Sequence, residues 1–219
     1  MVKKSEQLLS DKIVEGFIDH VNENGENPKS VAHLCKSLKI QESDFYEHFS
    51  DIDQIESHIP KKIWENALYS LSEQEFYLNS SEQEKVLSVM YGFFENAKSY
   101  RSYLLLKYKN QNNPIDKIKN MDRFRKSVMD YFQSLNLESA LPNLGMPMMD
   151  KMGDKAVAIT LYSNFVFIFN FWLNDKSSQF EKTDALIEKV FTLSFDLMDP
   201  TVLNKVLDLG KFLLGEIRK

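Results

Sequence analysis

The apolar residues near the start of the chain recur with the spacing of an α-helix. Val14, Phe17 and Val21 fall at i, i+3 and i+7, and positions with this spacing share one face of a helix. The pattern predicts a first helix over residues 5–24. Gly25 follows it, and glycine suits the left-handed conformation that often ends helices. The chain is therefore expected to begin with an amphipathic helix that buries one face.

Two shorter helices are predicted next. Asn27 and Pro28 are expected to open the second helix, with asparagine as its cap and proline in its first turn. A short turn then leads to a third helix over about 42–49. Phe45 and Phe49, four positions apart, share one face of that helix and are expected to face the core.

The remainder of the chain is also expected to be helical, because it is poor in glycine and proline. Residues 50–53 resemble a capping box, with Ser50 as the cap and Asp53 in place of the usual glutamate, and predict a fourth helix at about 51–70. The prolines and glycines of residues 136–153 predict a loop. Apolar spacing predicts further helices near 82–98, 100–110, 115–135, 154–174, 181–198 and 200–217. The predicted fold class is all-α.

Residues 156–173 carry no charge over 18 positions, which is close to the length of a membrane span. Polar residues such as Asn164 and Asn170 interrupt the stretch, and charged residues lie close to both ends, so we expect no membrane insertion. The alternating phenylalanines within it resemble a strand, but the length without a turn signal favours a helix. A helix that is apolar on nearly all sides is expected to be buried, partly against the core and partly against a second subunit.

Composition excludes several classes of function. The single cysteine, Cys35, rules out an internal disulfide and a Cys-x-x-Cys motif, and a buried packing role is favoured for it. The N-terminus lacks the apolar core of a secretory signal, so a cytoplasmic location is expected. The four histidines do not fall at metal-ligand spacing, and no catalytic motif is recognisable. We therefore expect neither a metal nor a cofactor, and no enzymatic activity.

The region around the second and third predicted helices carries a recognisable motif. It reads SVAHLC at residues 30–35, Ile40 in the turn, and FYEHF at residues 45–49. Over about residues 13–55 this region resembles the TetR family of transcriptional regulators. That family has Ser/Thr-Val-x-x-Ile-Ala, then Gly-Val-Ser, then Leu-Tyr-x-His-Phe. Where the family usually has glycine in the turn, this chain has Lys39.

The resemblance implies a two-domain architecture. Residues 1–52 would form a tri-helical helix-turn-helix domain of the DNA-binding type, and residues 53–219 a larger helical domain for dimerisation and ligand binding. The implied protein is a homodimer, formed through helices near 154–174 and 181–198, that binds a double-stranded, pseudo-palindromic DNA operator. It would respond to a small apolar effector.

Candidate site residues follow for both functions. Tyr46 and His48 are expected to bond phosphates, whereas Gln41, Ser43 and Asp44 would lie nearest the base edges. The complete set of DNA-binding candidates is Lys29, Ser30, Lys39, Gln41, Ser43, Asp44, Tyr46 and His48. The effector is expected to be hydrophobic because its candidate lining is apolar or aromatic. That lining is Met90, Phe94, Tyr103, Met121, Phe124, Val128, Phe132, Tyr162 and Phe165, for which core packing is an equally good explanation.

The charge distribution leaves a second interpretation open. Residues 1–60 contain six lysines, no arginine and twelve acidic residues, a net charge of −6, whereas residues 61–219 carry +1. Cations normally supply the non-specific part of DNA affinity, and carboxylates repel phosphates. Either lysines 29, 36 and 39 make the contact surface locally basic, or the chain is a TetR-like helical dimer that has lost DNA binding. In the second case it would serve as a ligand-binding or protein-interaction module.

Overall fold

The computed structural model describes residues 2–109, 122–135, 137 and 147–198. Within these ranges the chain is helical and contains no strand, which confirms the all-α prediction. The α-helices are α1 (Val2–Asn24), α2 (Val31–Leu38), α3 (Glu42–Tyr46), α4 (Ile52–Ser72), α5 (Glu75–Asn79), α6 (Glu82–Lys98), α7 (Arg101–Leu104), α8 (Asp122–Ser134), α9 (Pro147–Trp172) and α10 (Glu181–Met198). The helix predicted over 200–217 lies outside the described residues.

The chain divides into two compact units. The first comprises Met1–Ala67 with Phe93–Lys126, and the second comprises Leu68–Gly92 with Ser127–Lys219. The predicted division after residue 52 stays a prediction.

An aromatic cluster forms part of the core of the first unit. The ring of Trp64 lies 6.1 Å from the rings of both Phe93 and Phe124, and the latter two stack with their centroids 5.7 Å apart. All three side chains are at most 1% exposed. Buried aromatic rings of this size contribute much of the hydrophobic stabilisation of a core, so the first unit is well packed at this point.

The capping residues of two helices differ from the sequence prediction. Ser30, and not Asn27, caps α2, because its side-chain oxygen accepts a hydrogen bond from the His33 amide. Asp51, and not Ser50, caps α4 by accepting from the Gln54 amide at 2.7 Å, while the Gln54 side chain accepts from the amide of Ser50. Both caps were misplaced because several neighbouring residues had suitable side chains, and only backbone geometry selects among them.

Several helices also depart from expectation. The third helix, predicted over about 42–49, ends at Tyr46. The segment predicted as one helix over 100–110 is α7 followed by a turn of π-helix at Leu105–Lys109, called the π-turn below. The loop predicted over 136–153 is wrong from residue 147 onward, because α9 begins at Pro147, where proline suits the first position of a helix. Helix α5 was not predicted, since five residues are too few to show a periodic pattern.

The second unit contains α9, the helix that carries most of the uncharged stretch 156–173. The strand-like alternation of phenylalanines does lie in a helix, as predicted, and Phe165, Phe169 and Trp172 stack along it at centroid distances of 6.1 and 6.0 Å. Helix α10 packs against α9, and Asn164 donates a 2.6 Å hydrogen bond to Ser194. Among the described residues, no helix has the length and apolar character needed to cross a membrane.

A buried carboxylate joins α9 to the start of α10. Asp175, 6% exposed, accepts hydrogen bonds from the backbone N–H and the hydroxyl of Thr183 at 3.0 and 2.6 Å. Its other oxygen accepts from the backbone N–H and the hydroxyl of Ser177. Asp175 therefore neutralises the positive N-terminal end of α10 and fixes the connection between the two helices.

The stabilisation by Asp175 is expected to weaken in acid. Burial alone would raise the pKa of this carboxyl, but the hydrogen bonds from Thr183 and Ser177 lower it to about 2, below the ordinary 3.8. Because the folded pKa is the lower one, the charged cap contributes about 2 kcal/mol above pH 4, and this is lost as the pH falls toward 2.

Urea unfolding at pH 7 and pH 3 checks this expectation. The loss of stability caused by Asp175→Asn should be smaller at pH 3 than at pH 7 by about 1 kcal/mol. A loss of the same size at both values would show that the charge of Asp175 does not contribute.

Candidate nucleic-acid interface

Helices α1, α2 and α3 form the predicted tri-helical arrangement. Phe45 on α3 is fully buried and Phe49 is 4% exposed, with their ring centroids 6.0 Å apart. Leu34 on α2 is also fully buried. Between the two phenylalanines, Tyr46 is 54% exposed. Phe45 and Phe49 thus hold α3 against its predecessors and leave Tyr46 on the outer surface, as the motif predicted.

The turn between α2 and α3 is built on a lysine in a left-handed conformation. Lys39 has φ 55° and ψ 48°, and its backbone N–H reaches back to the carbonyls of Cys35 and Lys36. The amide of Ile40 donates to Cys35 as well, at 3.1 Å. This is the arrangement that glycine normally provides at the end of a helix, so a side chain here carries a conformational cost.

The structure places most of the predicted DNA-binding residues on the surface of this domain. Exposed residues of the set are Lys29, Ser30, Lys39, Gln41, Ser43 and Tyr46. The remaining two, Asp44 and His48, are half-buried. The Nε2 atom of His48 is buried and has no hydrogen-bond partner within the described part of the chain. Any phosphate contact by His48 would therefore have to use its other ring nitrogen.

Asp44 has a structural role at the start of α3. One of its carboxylate oxygens accepts from the Gln41 backbone N–H at 3.1 Å, and the other lies 3.5 Å from the Ser43 hydroxyl. A carboxylate in the first turn of a helix is stabilised by the helix dipole.

Burial first, and then the charges of Glu42 and Asp44, raise the pKa of Cys35, so its thiol stays protonated near neutral pH.

Several acidic residues of the N-terminal sixty are engaged in internal bonds. Asp11 forms a 2.6 Å salt bridge with Lys62, and Asp51 caps α4. Glu56 is buried and forms a salt bridge with Lys107. Together with Asp44, four of the twelve carboxylates are thus tied to groups within the protein. Only Asp11 and Glu56 are balanced by lysines, whereas Asp44 and Asp51 keep their negative charge in hydrogen bonds to neutral amides.

A buried polar cluster connects three segments of the first unit. Lys107, in the π-turn, lies 3.1 Å from the Glu56 carboxylate of α4, and both side chains are at most 13% exposed. Asn27, between α1 and α2, donates to the same Glu56 oxygen at 3.0 Å and accepts a hydrogen bond from Lys107. The Lys107 ammonium also lies 5.8 Å from the centre of the Phe17 ring on α1. We call this set, Asn27, Glu56 and Lys107, the polar cluster.

Tyr103 lies close to the polar cluster and is fully buried. Its ring meets that of Phe17 edge-on at 6.1 Å, and its hydroxyl is buried with no hydrogen-bond partner among the residues that the structure describes. Burial, followed by the charges of Tyr108 and Glu56, raises the pKa of Tyr103 well above its ordinary value. The phenol is therefore neutral, and a buried hydroxyl without a partner is energetically costly.

The candidate effector-lining residues are divided between the two units. In the first unit Phe94, Tyr103 and Phe124 are buried, and Phe93 contacts the rings of both Phe94 and Phe124. The candidates in the second unit are Met90, Val128, Phe132, Tyr162 and Phe165. All of them are buried except Tyr162, which is half-buried. Met121 lies outside the described residues. Ring contacts in the second unit join Tyr162 to Phe165 at 6.3 Å.

Sequence reasoning missed the polar cluster, although part of it left a signal. Glu56 follows Ile55 and precedes Ile59 by three positions, so helical spacing places it on the apolar face of α4. A lone acidic residue on such a face suggests a buried ion pair. No feature of the sequence identifies Lys107 as its partner, because the two residues are 51 positions apart and meet only in the folded chain.

Comparisons with solved structures show a shared fold. A protein from Syntrophomonas wolfei str. Goettingen assigned to the TetR family of transcriptional regulators matches with a TM-score of 0.63 at 16% identity, covering 88% of this chain and 95% of that one. The TetR transcriptional regulator of Nitrosomonas europaea matches at 0.57 and 13%, covering 84% and 96%. The fatty acid degradation regulator FadR of Bacillus halodurans matches at 0.57 and 12%, covering 85% and 94%.

The family comparison extends this result. Among the curated proteins, no relative matches the chain. The family model described as "Tetracyclin repressor-like, C-terminal domain" matches residues 85–213, more than half of the chain. The model covers the C-terminal part, whereas the motif that carries the resemblance lies in the N-terminal part. This chain therefore belongs to the TetR family of transcriptional regulators.

Proposed function

We propose that the protein is a cytoplasmic, homodimeric transcriptional regulator that binds an operator through α2 and α3 and releases it in response to a small apolar effector. One observation carries the DNA-binding part. Phe45 and Phe49 are buried while Tyr46 and Gln41 are exposed, which is the division that a recognition helix needs.

Local charge supports a contact with phosphates despite the acidic N-terminal segment. Lys29, Lys36 and Lys39 are all exposed at the start, the last turn and the end of α2. Asp44 and Asp51 are occupied in capping interactions. Lysines at the edges of a helix-turn-helix position the protein on the DNA backbone, and exposed polar side chains on the recognition helix read bases.

The conformation of Lys39 adds a separate argument. A non-glycine residue in a left-handed turn costs on the order of 1 kcal/mol, and such strained residues cluster at functional positions. Glycine would relieve the strain, and the usual family residue here is glycine. A lysine that is retained against this cost is consistent with a cation whose charge is needed at the DNA surface.

Substituting Lys39→Gly is expected to separate these two effects. The free energy of unfolding should rise by about 1 kcal/mol, because the strain disappears. Operator affinity should fall, and the slope of log K against log salt should become shallower by about 1 for each head. Chemical denaturation and fluorescence anisotropy measure the two quantities. Unchanged affinity and slope would show that Lys39 does not contact phosphate.

An exposed apolar face supports the dimer. Helices α9 and α10 expose large hydrophobic side chains, which single subunits rarely leave exposed to water in such numbers. These residues are Ile159, Phe167, Phe171, Leu193 and Leu197, exposed between 38% and 58%. A symmetric pairing of the same two helices from a second copy would cover them, in the manner of a self-complementary interface.

The effector is expected to be a small apolar molecule. The aromatic and aliphatic side chains of both units favour an apolar molecule, since ligand sites are mostly lined by such residues. Phe94, Tyr103 and Phe124 are candidates in the first unit, and Met90, Val128, Phe132, Tyr162 and Phe165 in the second.

A binding assay on DNA fragments that flank the gene tests the function. Labelled fragments should be bound at 50 mM salt with an affinity that falls steeply as salt increases, and unrelated fragments should bind more weakly. Sedimentation of the same sample should give a dimer. A stable dimer that binds no flanking fragment at low salt would contradict the proposal and favour the ligand-binding or protein-interaction module.

A further inference from the structure

Two histidines that are distant in sequence lie side by side on the N-terminal helices. His20 belongs to the last part of α1 and His33 to α2, and their ring centroids are 5.3 Å apart with an angle of 88° between the ring planes. His33 is exposed and His20 is half-buried, so solvent reaches the pair. The pair lies beside Ser30, a DNA-binding candidate whose side-chain oxygen accepts a hydrogen bond from the His33 backbone N–H at 3.1 Å.

The spacing of the two rings suits a shared metal ion. Imidazole nitrogens bind Zn²⁺ at about 2.0–2.1 Å in tetrahedral geometry, and two rings that share such an ion have centroids about 5 Å apart. A ring can rotate about its metal–nitrogen bond, so the perpendicular planes are compatible with joint ligation. The observed centroid distance of 5.3 Å matches this separation.

The ring nitrogens of both histidines are available for a ligand. Within the described part of the chain, His20 bonds through its backbone carbonyl and His33 through its backbone N–H, and neither ring takes part in a hydrogen bond. Asp19 and Glu23 lie next to His20 on α1, and Lys36 lies one turn after His33 on α2. No third histidine, cysteine or carboxylate completes a metal-binding group among the described residues.

We propose that His20 and His33 form a two-histidine site for a divalent first-row transition metal, with water in the remaining coordination positions. Imidazole ligands favour Zn²⁺, Ni²⁺ and Cu²⁺ over Mg²⁺, which prefers oxygen. An ion held by one residue from α1 and one from α2 crosslinks the two helices that support the recognition helix. Metal binding would thereby stabilise the N-terminal domain, because a ligand that binds only the folded state opposes unfolding.

Zinc titration of the full-length protein tests the site. At pH 7.5, Zn²⁺ should bind in a saturable manner and raise the temperature of unfolding, whereas Mg²⁺ should do neither. His20→Gln and His33→Gln should each weaken Zn²⁺ affinity at least tenfold. His58→Gln removes a histidine outside the pair and is the matched control, so its Zn²⁺ affinity should be unchanged.

A spectroscopic measurement distinguishes ligation from a general effect on folding. With Cu²⁺ as the probe, electron paramagnetic resonance should show two equatorial nitrogens in the unchanged protein and one in either single variant. Absence of saturable binding would overturn the proposal and leave the two rings as an aromatic contact. Equal losses in His58→Gln and the pair variants would overturn it too. None of these readouts involves DNA, so their failure leaves the proposed regulator untouched.

Discussion

Lys107→Met is expected to lower the free energy of unfolding by about 3–5 kcal/mol, because it removes the ammonium that lies 3.1 Å from the buried carboxylate of Glu56. Methionine fills nearly the same volume as lysine, so loss of packing contributes little. Asn27 would remain as a hydrogen-bond donor to Glu56, but a neutral amide does not balance a buried negative charge. Chemical denaturation followed by circular dichroism measures the change.

Two further variants show whether the charge is the cause. Lys61→Met removes an exposed lysine that pairs with Glu65 at 3.3 Å on the same helix, and pairs of this kind contribute at most about 1 kcal/mol. The double variant Glu56→Gln with Lys107→Met removes both buried charges and should recover most of the lost stability. If it is as unstable as Lys107→Met alone, the polar cluster acts through packing and the electrostatic account is wrong.

The polar cluster connects three segments of the first unit, so the loss of stability in Lys107→Met is expected to affect all three. Asn27 belongs to the linker between α1 and α2, Glu56 to α4, and Lys107 to the π-turn. Turns of π-helix occur frequently at functional sites. Loss of Lys107 is therefore expected to increase hydrogen exchange at the amides near Asn27 as well as lowering global stability. Faster exchange limited to the π-turn would show that the segments are not coupled.

Phe45→Ala should destabilise the N-terminal helices by about 3–5 kcal/mol, the usual loss when a fully buried phenylalanine is truncated. The removed ring contacts Phe49 and Tyr46, so the cavity would lie directly under the recognition helix. Because whole proteins are stable by only about 5–15 kcal/mol, the variant is expected to lose ordered α2 and α3 and with them DNA binding. Thermal unfolding and hydrogen exchange of these helices measure the loss.

Tyr46→Ala is the matched control for this prediction. Tyr46 is the next residue along the same helix, but it is 54% exposed, so its removal should change stability by no more than about 0.5 kcal/mol. If its hydroxyl bonds a phosphate, operator affinity should still fall by about tenfold or more, since a hydrogen bond to a charged group contributes about 1.5–3 kcal/mol. A stable Tyr46→Ala protein with full affinity would remove Tyr46 from the DNA contact.

Helical spacing predicted the main elements well where they were long. The bounds of α6 and α10 agree with the predicted 82–98 and 181–198, because each presents a continuous apolar face over four or more turns. Caps and short elements were less predictable. Several serines, aspartates and asparagines are adjacent at the starts of α2 and α4, and the choice among them depends on backbone dihedral angles that the sequence does not reveal.

The candidate DNA surface was largely predictable from the sequence. Which acidic residues of the first sixty form bonds inside the protein was not predictable. Phe49 lies three residues past the end of α3, but its amide still donates to the Phe45 carbonyl at 2.9 Å. The i, i+4 placement that buries both phenylalanines and exposes Tyr46 is therefore kept, as local spacing predicted. The net charge of the first sixty residues, by contrast, gives every carboxylate the same weight, whether or not it is bonded in the folded protein. Folding engages Asp11, Asp44, Asp51 and Glu56 in internal bonds, and two of the four pair with lysines outside that segment.

The amino-acid sequence by itself determined the helical class of the protein and the division of the third helix into a buried and an exposed face. Both depend on the spacing of neighbouring residues, and a helix brings together positions three or four apart wherever it lies. Tertiary structure alone decided that Lys107 pairs with Glu56 and that His20 meets His33. Such contacts join residues on separate helices, so they depend on how the helices pack, which local spacing does not encode.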